Sequence, residues 1–375
     1  MNLPIAKIGY GCYALSGAYG TNLSCNEKIK ILNYAFDLGI TYFDTASSYE
    51  QTEELLGEVF KSKRDQITIS TKIDANIQLS KTNVLKSCEA SLRKLKTDYI
   101  DLYQVHYHDP NTPIDDVIEG LEKLVQGGKI RYYGIGHLPL DTTKLYLSKG
   151  NIASVLAEVS VLSLYRYQEL ASLFPVFDFG IVAFGCTGRG ILGNIDKETL
   201  FSPNDIRSID PLYKRERLKN ALFIKEKLAI IAEELNISVI QLALLWVINQ
   251  KRIVKILIGP TNINHLIENV EVINKELPQN IIEAIDQLVQ KAHSQLEVIL
   301  AKEINTILDS TTSASINDLI YVLEYCLEHN KISYQDGVKI FSEVMAVKKR
   351  NNYSQEVIKK LKIEIRNNIG SSGVI

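Results

Sequence analysis

The sequence predicts an α/β fold: a (β/α)8 TIM barrel followed by a C-terminal all-helical extension. Over the first two thirds of the chain, short runs of β-branched and aromatic residues alternate with longer segments of helical periodicity, which is typical of βα units and a parallel sheet. After about Gln290 no strand-like run follows, and amphipathic helical patterns replace the alternation. Eight strand candidates favour a closed barrel, and an open doubly wound sheet is the alternative because sequence patterns count strands only approximately.

The elements can be placed in order along the chain. The predicted strands are residues 7–13, 41–46, 68–72, 99–106, 131–136, 155–159, 180–184 and 254–259. Polar residues that can accept a hydrogen bond from free backbone N–H groups mark the helix starts. Ser24 and Asn26 precede EKIKILNYAFDLG, which Gly39 ends, and Ser80 precedes KTNVLKSCEASLRKLK.

Two domains are expected, the barrel over residues 1–290 and the helical extension over residues 291–375. The apolar faces of two extension helices comprise Leu296, Ile299, Leu300, Ile304, Ile307 and Leu308, then Ile316, Leu319, Ile320, Leu323 and Leu327. Ser315, Ser333 and Ser354 are the expected N-caps. Nothing in the extension has the residue types and spacing of a catalytic site. We interpret it as a packing unit, with a protein partner, self-association or a lid over the barrel as alternatives.

Composition limits the classes of function. The 375 residues are 46% hydrophobic, which is enough for a large core, and the net charge of -2 gives no reason to expect nucleic acid or an acidic membrane as a partner. The first residues lack the pattern of a signal peptide, and no window is apolar enough for a membrane span. The five cysteines are scattered without a CxxC pair, so reduced thiols and a cytoplasmic protein are expected.

Four residues carry the chemistry that the sequence predicts. Asp44, Lys72 and His106 end successive predicted strands, and Tyr49 follows shortly after Asp44. Catalytic groups of such a barrel project from the C-terminal ends of the strands, so these four are expected to meet. Tyr49 would be the proton donor, Lys72 would lower its pKa, Asp44 would hold Lys72, and His106 would bind a substrate carbonyl oxygen. A cofactor must supply any hydride, because no side chain can do so.

Two other patterns were weighed against this interpretation. His106 and His108 form an H-x-H pair, but no third ligand stands at a suitable spacing, so no metal is expected. Gly9, Gly11 and Ala14 fit the G-x-G-x-x-A fingerprint of an open-sheet dinucleotide fold. That motif should open a helix directly, whereas here the next helical pattern begins only near Asn26. A first barrel strand explains the same glycines.

The motifs around these residues resemble those of the aldo-keto reductase family. DTASSY is similar to the family's D-T-A-x-x-Y, ISTK to its strand-end lysine, and SLRKLKTDYIDLYQVHYHD to its longest signature. LVQGGKIRYYGIG and HLIENVEVI extend the resemblance, which runs over residues 7–272. It implies a TIM barrel, an NADP(H) or NAD(H) cofactor and reversible carbonyl reduction. It also implies Tyr49 as the acid, with Asp44, Lys72 and His106 as its partners.

By the same resemblance, several residues fall where the family contacts the nicotinamide. Phe184 falls where the family has an aromatic ring beneath the nicotinamide, and Glu158 stands where a glutamine usually binds the carboxamide. A carboxylate can accept from the amide NH₂ but cannot donate to its oxygen unless protonated. Gly136 and His137 replace a Ser-Asn pair. Carboxamide recognition is therefore expected to differ from the family pattern.

The phosphate and adenine positions also depart from the family. Gly259 and His265 stand where cations commonly hold a 2′-phosphate, while Glu268 and Asn269 remain for the adenine end. Arg189 is expected to meet the pyrophosphate together with backbone N–H groups of the glycine-rich loop. The glycines of that loop that we assign to the cofactor are Gly185 and Gly188. The resemblance favours NADP(H) over NAD(H), and the missing cations leave NAD(H) use open.

The leading hypothesis is a cytoplasmic NAD(P)H-dependent oxidoreductase that acts on an aldehyde, a ketone or a sugar. Tyr13, Tyr19, His108 and His137 are candidates to line the substrate pocket. The alternative is a cofactor-binding regulatory or scaffold protein that kept the barrel and docks a partner through its extension. The complete set of four catalytic groups favours the enzyme.

Overall fold

A computed structural model of the chain describes residues 7–74, 77–109, 111–136, 138–271, 275–309, 311–328, 331–350 and 354–369. Eight parallel strands close into a barrel in chain order. They are β1 (Ile8–Gly11), β2 (Tyr42–Asp44), β3 (Thr68–Lys72), β4 (Ile100–Val105), β5 (Ile130–Ile135), β6 (Ile152–Glu158), β7 (Gly180–Phe184) and β8 (Ile253–Ile258). The predicted TIM barrel is confirmed, and the open sheet is excluded because β1 pairs with β8.

Helices separate the strands and continue after the last one. They are α1 (Cys25–Asp37), α2 (Thr52–Val59), α3 (Lys81–Leu95), α4 (Ile114–Gln126), α5 (Leu140–Lys149), α6 (Tyr165–Ala171), α7 (Arg215–Glu234), α8 (Val239–Asn249), α9 (Ile263–Val270), α10 (Gln279–Leu308), α11 (Ile316–Glu328), α12 (Tyr334–Arg350) and α13 (Gln355–Asn368). The predicted caps Ser24 and Ser80 are confirmed, whereas Asn26 lies inside α1 and not ahead of it. Ser24 accepts from the Glu27 N–H and Ser80 accepts from the Asn83 N–H.

Six of the eight strands have bounds that differ from the prediction, by at most three residues. The first strand ends at Gly11 and passes into a short 3-10 helix over Cys12–Ser16, and the sixth begins three residues early at Ile152. The closed barrel excludes a dinucleotide fingerprint at the N-terminus. A Cβ on Gly9 would lie 2.6 Å from Cδ1 of Tyr42 and 2.9 Å from Cδ2 of Leu257, so this glycine allows the first strand to pack closely against its neighbours.

The last strand of the barrel carries a buried lysine. Lys255 of β8 is 2% exposed, and its ammonium lies 5.4 Å from the ring centre of Tyr42. It lies two residues before Leu257 on the same face of β8, and Leu257 packs in an apolar cluster with residues of four other strands. Burial lowers the pKa of Lys255 to about 8 from its ordinary 10.5.

The burial of Lys255 is expected to lower the free energy of unfolding by an amount that depends on pH. Below about pH 8 the folded protein must hold a buried ammonium, and the cost disappears as pH rises toward 10.5, where the unfolded lysine also loses its proton. We expect Lys255→Met to raise the free energy of unfolding near pH 7 by up to about 3 kcal/mol. Urea unfolding of both proteins at several pH values measures the difference. A difference that stays constant up to pH 10.5 would contradict this assignment.

The chain divides into two compact units. The first comprises residues 1–209 and 221–287, and the second comprises residues 210–220 and 288–375. The helix α10 runs through the boundary expected at residue 290. In the second unit α10, α11, α12 and α13 share one apolar core that includes Leu300, Leu323 and Ile365.

Most side chains predicted to face the core of the extension do so. Leu296, Leu300, Ile304 and Ile307 are buried, whereas Ile299 is 45% exposed, so its assignment to the apolar face was wrong. It lies one residue before Leu300 and therefore about 100° around the helix. Ser315 and Ser333 accept from the N–H groups of Asp318 and Asp336, as predicted. Ser354 precedes α13 but its side chain makes no capping hydrogen bond.

Across the described residues no single helix is both long and apolar enough to cross a membrane. The pair α7 and α8 meets the requirement together by length and composition, but it is bent by 93° at its junction.

Candidate active site

The structure brings the four predicted catalytic residues together at one end of the barrel. Asp44 ends β2 and Lys72 ends β3, while His106 directly follows β4 and Tyr49 lies in the connection between β2 and α2. The register of the parallel strands explains why these residues converge. Asp44 pairs with Ser70 on the neighbouring strand, and Lys72 lies two residues beyond Ser70 at the same end. Residues distant in sequence therefore reach the same end of the sheet.

The centre of the site is a buried ion pair. The Nζ of Lys72 lies 2.6 Å from Oδ2 of Asp44, and it also donates to the Thr45 carbonyl at 2.6 Å. The Lys72 side chain is fully buried and that of Asp44 is 5% exposed. The other carboxylate oxygen of Asp44 accepts from Ser70 at 2.9 Å and from Gln104 at 3.3 Å. Asp44 is thus held on both oxygens and fixes the direction of the ammonium.

Ser70 and Gln104 were not predicted from the sequence. Nε2 of Gln104 also donates to the Ser70 hydroxyl at 2.7 Å, which links three neighbouring strands beneath the ion pair. The spacing could have indicated both residues. Ser70 lies two residues before Lys72, and Gln104 lies two residues before His106, so the two members of each pair point to the same face of the sheet.

Tyr49 lies between the ion pair and two rings. Its ring centre is 5.0 Å from Nζ of Lys72, 6.0 Å from the His106 ring and 4.9 Å from the Tyr13 ring. Burial, followed by the Asp44 carboxylate, raises the pKa of the Tyr49 phenol. The net lowering of this pKa that was expected from Lys72 is not found, because desolvation of the phenol and the Asp44 charge outweigh the nearby ammonium. Tyr49 is therefore protonated at neutral pH, as a proton donor must be.

His106 is a neutral imidazole. Burial, followed by the nearby Lys72 charge, lowers its pKa to about 3. Its ring stacks on Tyr107 at 4.4 Å, and its Nδ1 has no hydrogen-bond partner among the described residues. His108 instead has its Nδ1 3.1 Å from the Tyr146 hydroxyl. The two histidines therefore do not act as one pair, and in the part of the chain that the structure describes no group of three metal-ligand side chains occurs.

Gly136 explains one departure from the family pattern. It follows β5, and its N–H donates to the Val105 carbonyl at 2.7 Å. A Cβ at this position would lie 2.6 Å from the carbonyl oxygen of His106, so no side chain fits without moving the histidine backbone. A serine here would disturb His106. His137, which was predicted to face the carboxamide, lies outside the described residues.

Glu158 and Arg189 bond to each other. Nη2 of Arg189 lies 2.6 Å from Oε2 of Glu158, and the two side chains are 22% and 14% exposed. Glu158 was expected at the carboxamide and Arg189 at the pyrophosphate, as separate contacts. In the structure they form one ion pair, and Arg189 has a left-handed conformation with φ of 52° between glycines 188 and 190.

The remaining cofactor candidates lie after β7 and β8. Phe184 ends β7, half-buried against the interior apolar cluster, and Gly185 and Gly188 have positive φ in the loop that follows. Gly259 follows β8, and a Cβ there would lie 2.8 Å from the Gly11 carbonyl, so the position has no room for a cationic side chain.

The last three candidates lie on α9. His265 is exposed and Glu268 is half-buried, with its backbone carbonyl accepting from Gln241 at 2.9 Å. Asn269 is buried, and its Oδ1 has no hydrogen-bond partner within the described ranges. A buried acceptor without a partner is costly unless a ligand satisfies it.

Comparisons with known proteins agree with this fold. A sequence profile of the aldo/keto reductase family matches residues 7–290. A probable aldo-keto reductase 1 from Glycine max is 31% identical over 296 residues, which cover 76% of this chain and 86% of that protein. An uncharacterized oxidoreductase, YqkF, from Bacillus subtilis strain 168 is 31% identical over 309 residues, 78% of this chain and 96% of that protein.

Solved structures share the barrel. A glycerol dehydrogenase from Gluconobacter oxydans matches with a TM-score of 0.69 at 23% identity, covering 78% of this chain and 94% of that one. An aldo-keto reductase from Bacillus halodurans in its holo form matches with a TM-score of 0.63 at 26% identity, covering 75% and 91%. Fold and site thus define a TIM-barrel oxidoreductase. The chain belongs to the aldo-keto reductase family and is an NAD(P)-dependent enzyme of that type.

Proposed function

We propose that this enzyme reduces the carbonyl group of an aldehyde, a ketone or a sugar, reversibly, with Tyr49 as the general acid. The observation that carries the proposal is the convergence of Tyr49 and His106 above the buried Asp44–Lys72 pair. A protonated phenol, a neutral imidazole and an oriented ammonium are the groups that stabilise and protonate a developing alkoxide.

Each residue has a role that its surroundings support. The reduced nicotinamide, when bound, supplies the hydride. Tyr49 donates its phenolic proton to the carbonyl oxygen, and His106 donates a hydrogen bond to the same oxygen from its protonated ring nitrogen. The Lys72 ammonium, 5.0 Å from the phenol ring, stabilises the phenolate that remains. Asp44 accepts a hydrogen bond from that ammonium and holds it in place.

The chain offers groups that fit a dinucleotide. The buried Oδ1 of Asn269 lacks a partner within the described residues and can accept from an adenine amino group. Gly185 and Gly188 leave the backbone of their loop open to close approach by phosphate. Phe184 would contact the nicotinamide ring, and the Glu158–Arg189 pair would present an acceptor and donors to its carboxamide.

We assign NADP(H) as the preferred cofactor over NAD(H). Two aldo-keto reductase structures from Klebsiella pneumoniae, similar in fold, hold NADP or NADPH. Residues 259–271 contain neither lysine nor arginine, so the preference is expected to be smaller than where a cation binds the 2′-phosphate.

The first experiment is a fluorescence titration of the purified protein with NADPH and NADH, followed by a panel of aldehydes, ketones and sugars. Consumption of the reduced cofactor that depends on a carbonyl compound supports the proposal, and the two titrations give the cofactor preference. Tight cofactor binding without turnover of any compound would contradict it and favour a regulatory or scaffold role.

The low pKa of His106 predicts a specific pH profile. With a pKa of about 3, the imidazole stays neutral throughout the range from about pH 5 to 8, so it adds no ionisation to kcat/KM there. Steady-state rates at saturating NADPH, measured for the wild type and for His106→Asn, check this. A limb near pH 6.5 that the substitution abolishes would show that His106 titrates and that its neutral assignment is wrong.

A cytoplasmic location belongs to the same proposal. Cys12, Cys88, Cys186 and Cys326 are buried and unpaired, which agrees with a reducing compartment. Fractionation of the host cells tests it.

A further inference from the structure

Two connections that are distant in sequence meet at the catalytic end of the barrel. One follows β1 and the other follows β7. The N–H of Ile206 donates to the Ala18 carbonyl at 2.8 Å, and Nη2 of Arg207 donates to the Tyr19 carbonyl at 3.1 Å. Because both connections leave the C-terminal ends of strands, they lie on the face that carries the active site.

Arg207 is held rigidly at this junction. Its Nε lies 2.9 Å from Oδ1 of Asp205 and its Nη2 lies 2.6 Å from Oδ2, a two-point pairing with a carboxylate that is only 5% exposed. The guanidinium also lies over the rings of Tyr19, at 5.4 Å, and Phe201, at 4.5 Å. The fixed fork of an arginine can bind the carboxylate and the backbone carbonyl at once.

Gly20 permits this close approach. It has a φ of 70°, and a Cβ there would lie 3.2 Å from Oδ2 of Asp205 and 3.4 Å from Oγ of Ser202. Any side chain at this position would be strained and would crowd the carboxylate that holds Arg207.

A row of rings leads from Arg207 to the proposed acid. The Tyr19 ring meets the Tyr13 ring edge-on, with centres 5.8 Å apart and planes at 82°. The Tyr13 ring in turn packs on Tyr49, with centres 4.9 Å apart. Tyr49 is in a connection and not in a strand, so its orientation depends on the groups that touch its ring. Tyr13 packs on that ring, as Lys72 and His106 also do.

We infer that Arg207 is a positioning residue for carbonyl reduction, which acts by holding Tyr19 and Tyr13 so that Tyr13 fixes the orientation of Tyr49. The inference rests on the proposed role of Tyr49 as the acid. A misplacement of a reacting group by about 1 Å can cost about 100-fold in rate. Loosening a ring that touches Tyr49 is therefore expected to lower kcat, while the cofactor and substrate contacts persist.

The test uses the full-length enzyme with NADPH and 4-nitrobenzaldehyde as the probe substrate. Arg207→Ala is expected to lower kcat about 10-fold and to leave the Kd of NADPH and the KM of the probe within about twofold. Arg207→Lys should recover part of the loss, since a lysine can still pair with Asp205. Arg131→Ala is the matched control, because Arg131 also lies over a tyrosine and pairs with a buried aspartate, but at the opposite end of the barrel. Its kcat should not change.

Two further measurements separate positioning from a general loss of structure. Tyr13→Ala should lower kcat similarly, and adding Arg207→Ala to it should have no further effect. Independent, multiplying effects would overturn the inference, as would an unchanged kcat in Arg207→Ala. If Arg207→Ala fails to fold, Tyr19→Leu, which removes the ring but keeps the backbone acceptor, replaces it and is expected to lower kcat equally.

A crystal structure of Arg207→Ala tests the positioning role separately from the proposed function. Displacement of the Tyr13 ring from its 4.9 Å contact with Tyr49 supports the positioning role, and an unmoved ring overturns it, whatever the turnover. Absence of carbonyl reduction by the wild type would instead overturn the proposed function.

Discussion

Replacing Tyr49 with phenylalanine is expected to lower kcat for carbonyl reduction by about 100-fold or more, with the Kd of NADPH nearly unchanged. The substitution removes one hydroxyl and keeps the ring that contacts Tyr13, His106 and Lys72. The proton donor is then missing, while the shape of the site is preserved. Single-turnover consumption of NADPH with a reactive aldehyde measures the effect.

Tyr132→Phe is the control for this experiment. Tyr132 is 40% exposed on β5, so removing its hydroxyl should leave kcat unchanged. If Tyr49→Phe retained a near-normal kcat, another group would have to be the acid. If it lost NADPH binding as well, the residue would be part of the cofactor site.

Replacing Lys72 with methionine is expected to remove activity and also to destabilise the protein by about 3–5 kcal/mol. The substitution leaves the Asp44 carboxylate buried at 5% exposure without its cation, and an uncompensated buried charge carries a cost of that size. Urea unfolding near neutral pH measures the loss of stability, and NADPH consumption measures the loss of activity.

A double variant separates the two effects. In Asp44→Asn with Lys72→Met neither buried charge remains, so most of the lost stability should return. Activity should not return, because the phenolate of Tyr49 would still lack its stabilising ammonium. Recovery of activity in the double variant would show that Lys72 serves the fold alone. A single variant as stable as the wild type would show that Asp44 is not effectively buried.

The sequence was sufficient to predict the barrel and the convergence of the candidate catalytic groups. Alternating strand and helix patterns imply parallel strands, and parallel strands bring their C-terminal ends together, so Asp44, Lys72 and His106 could be assigned to one site before any coordinates. The pattern also predicted the caps at Ser24 and Ser80, which depend only on local spacing.

Contacts set by tertiary packing were beyond the sequence. The Glu158–Arg189 pair joins the last residue of β6 to a loop residue 31 positions later, and no periodicity encodes the backbone angles of that loop. The direction of the Tyr49 pKa shift depends on how deeply the phenol is buried, and the spacing predicted only which charges are near. The contact between Arg207 and Tyr19 spans 188 positions and has no motif that could reveal it.

The second unit is built from two separate stretches of the chain. Arg215, in the short stretch of residues 210–220, pairs with Glu303 and Asp318 from the long one, and its guanidinium lies over Tyr321. The helical unit is therefore discontinuous, and a ribosome completes one piece well before it begins the other. Deleting everything after residue 287 would remove both carboxylates that pair with Arg215, a residue whose backbone is in a left-handed conformation with φ of 46°. Anyone who wishes to graft this unit onto another barrel must transplant an internal loop as well as a tail.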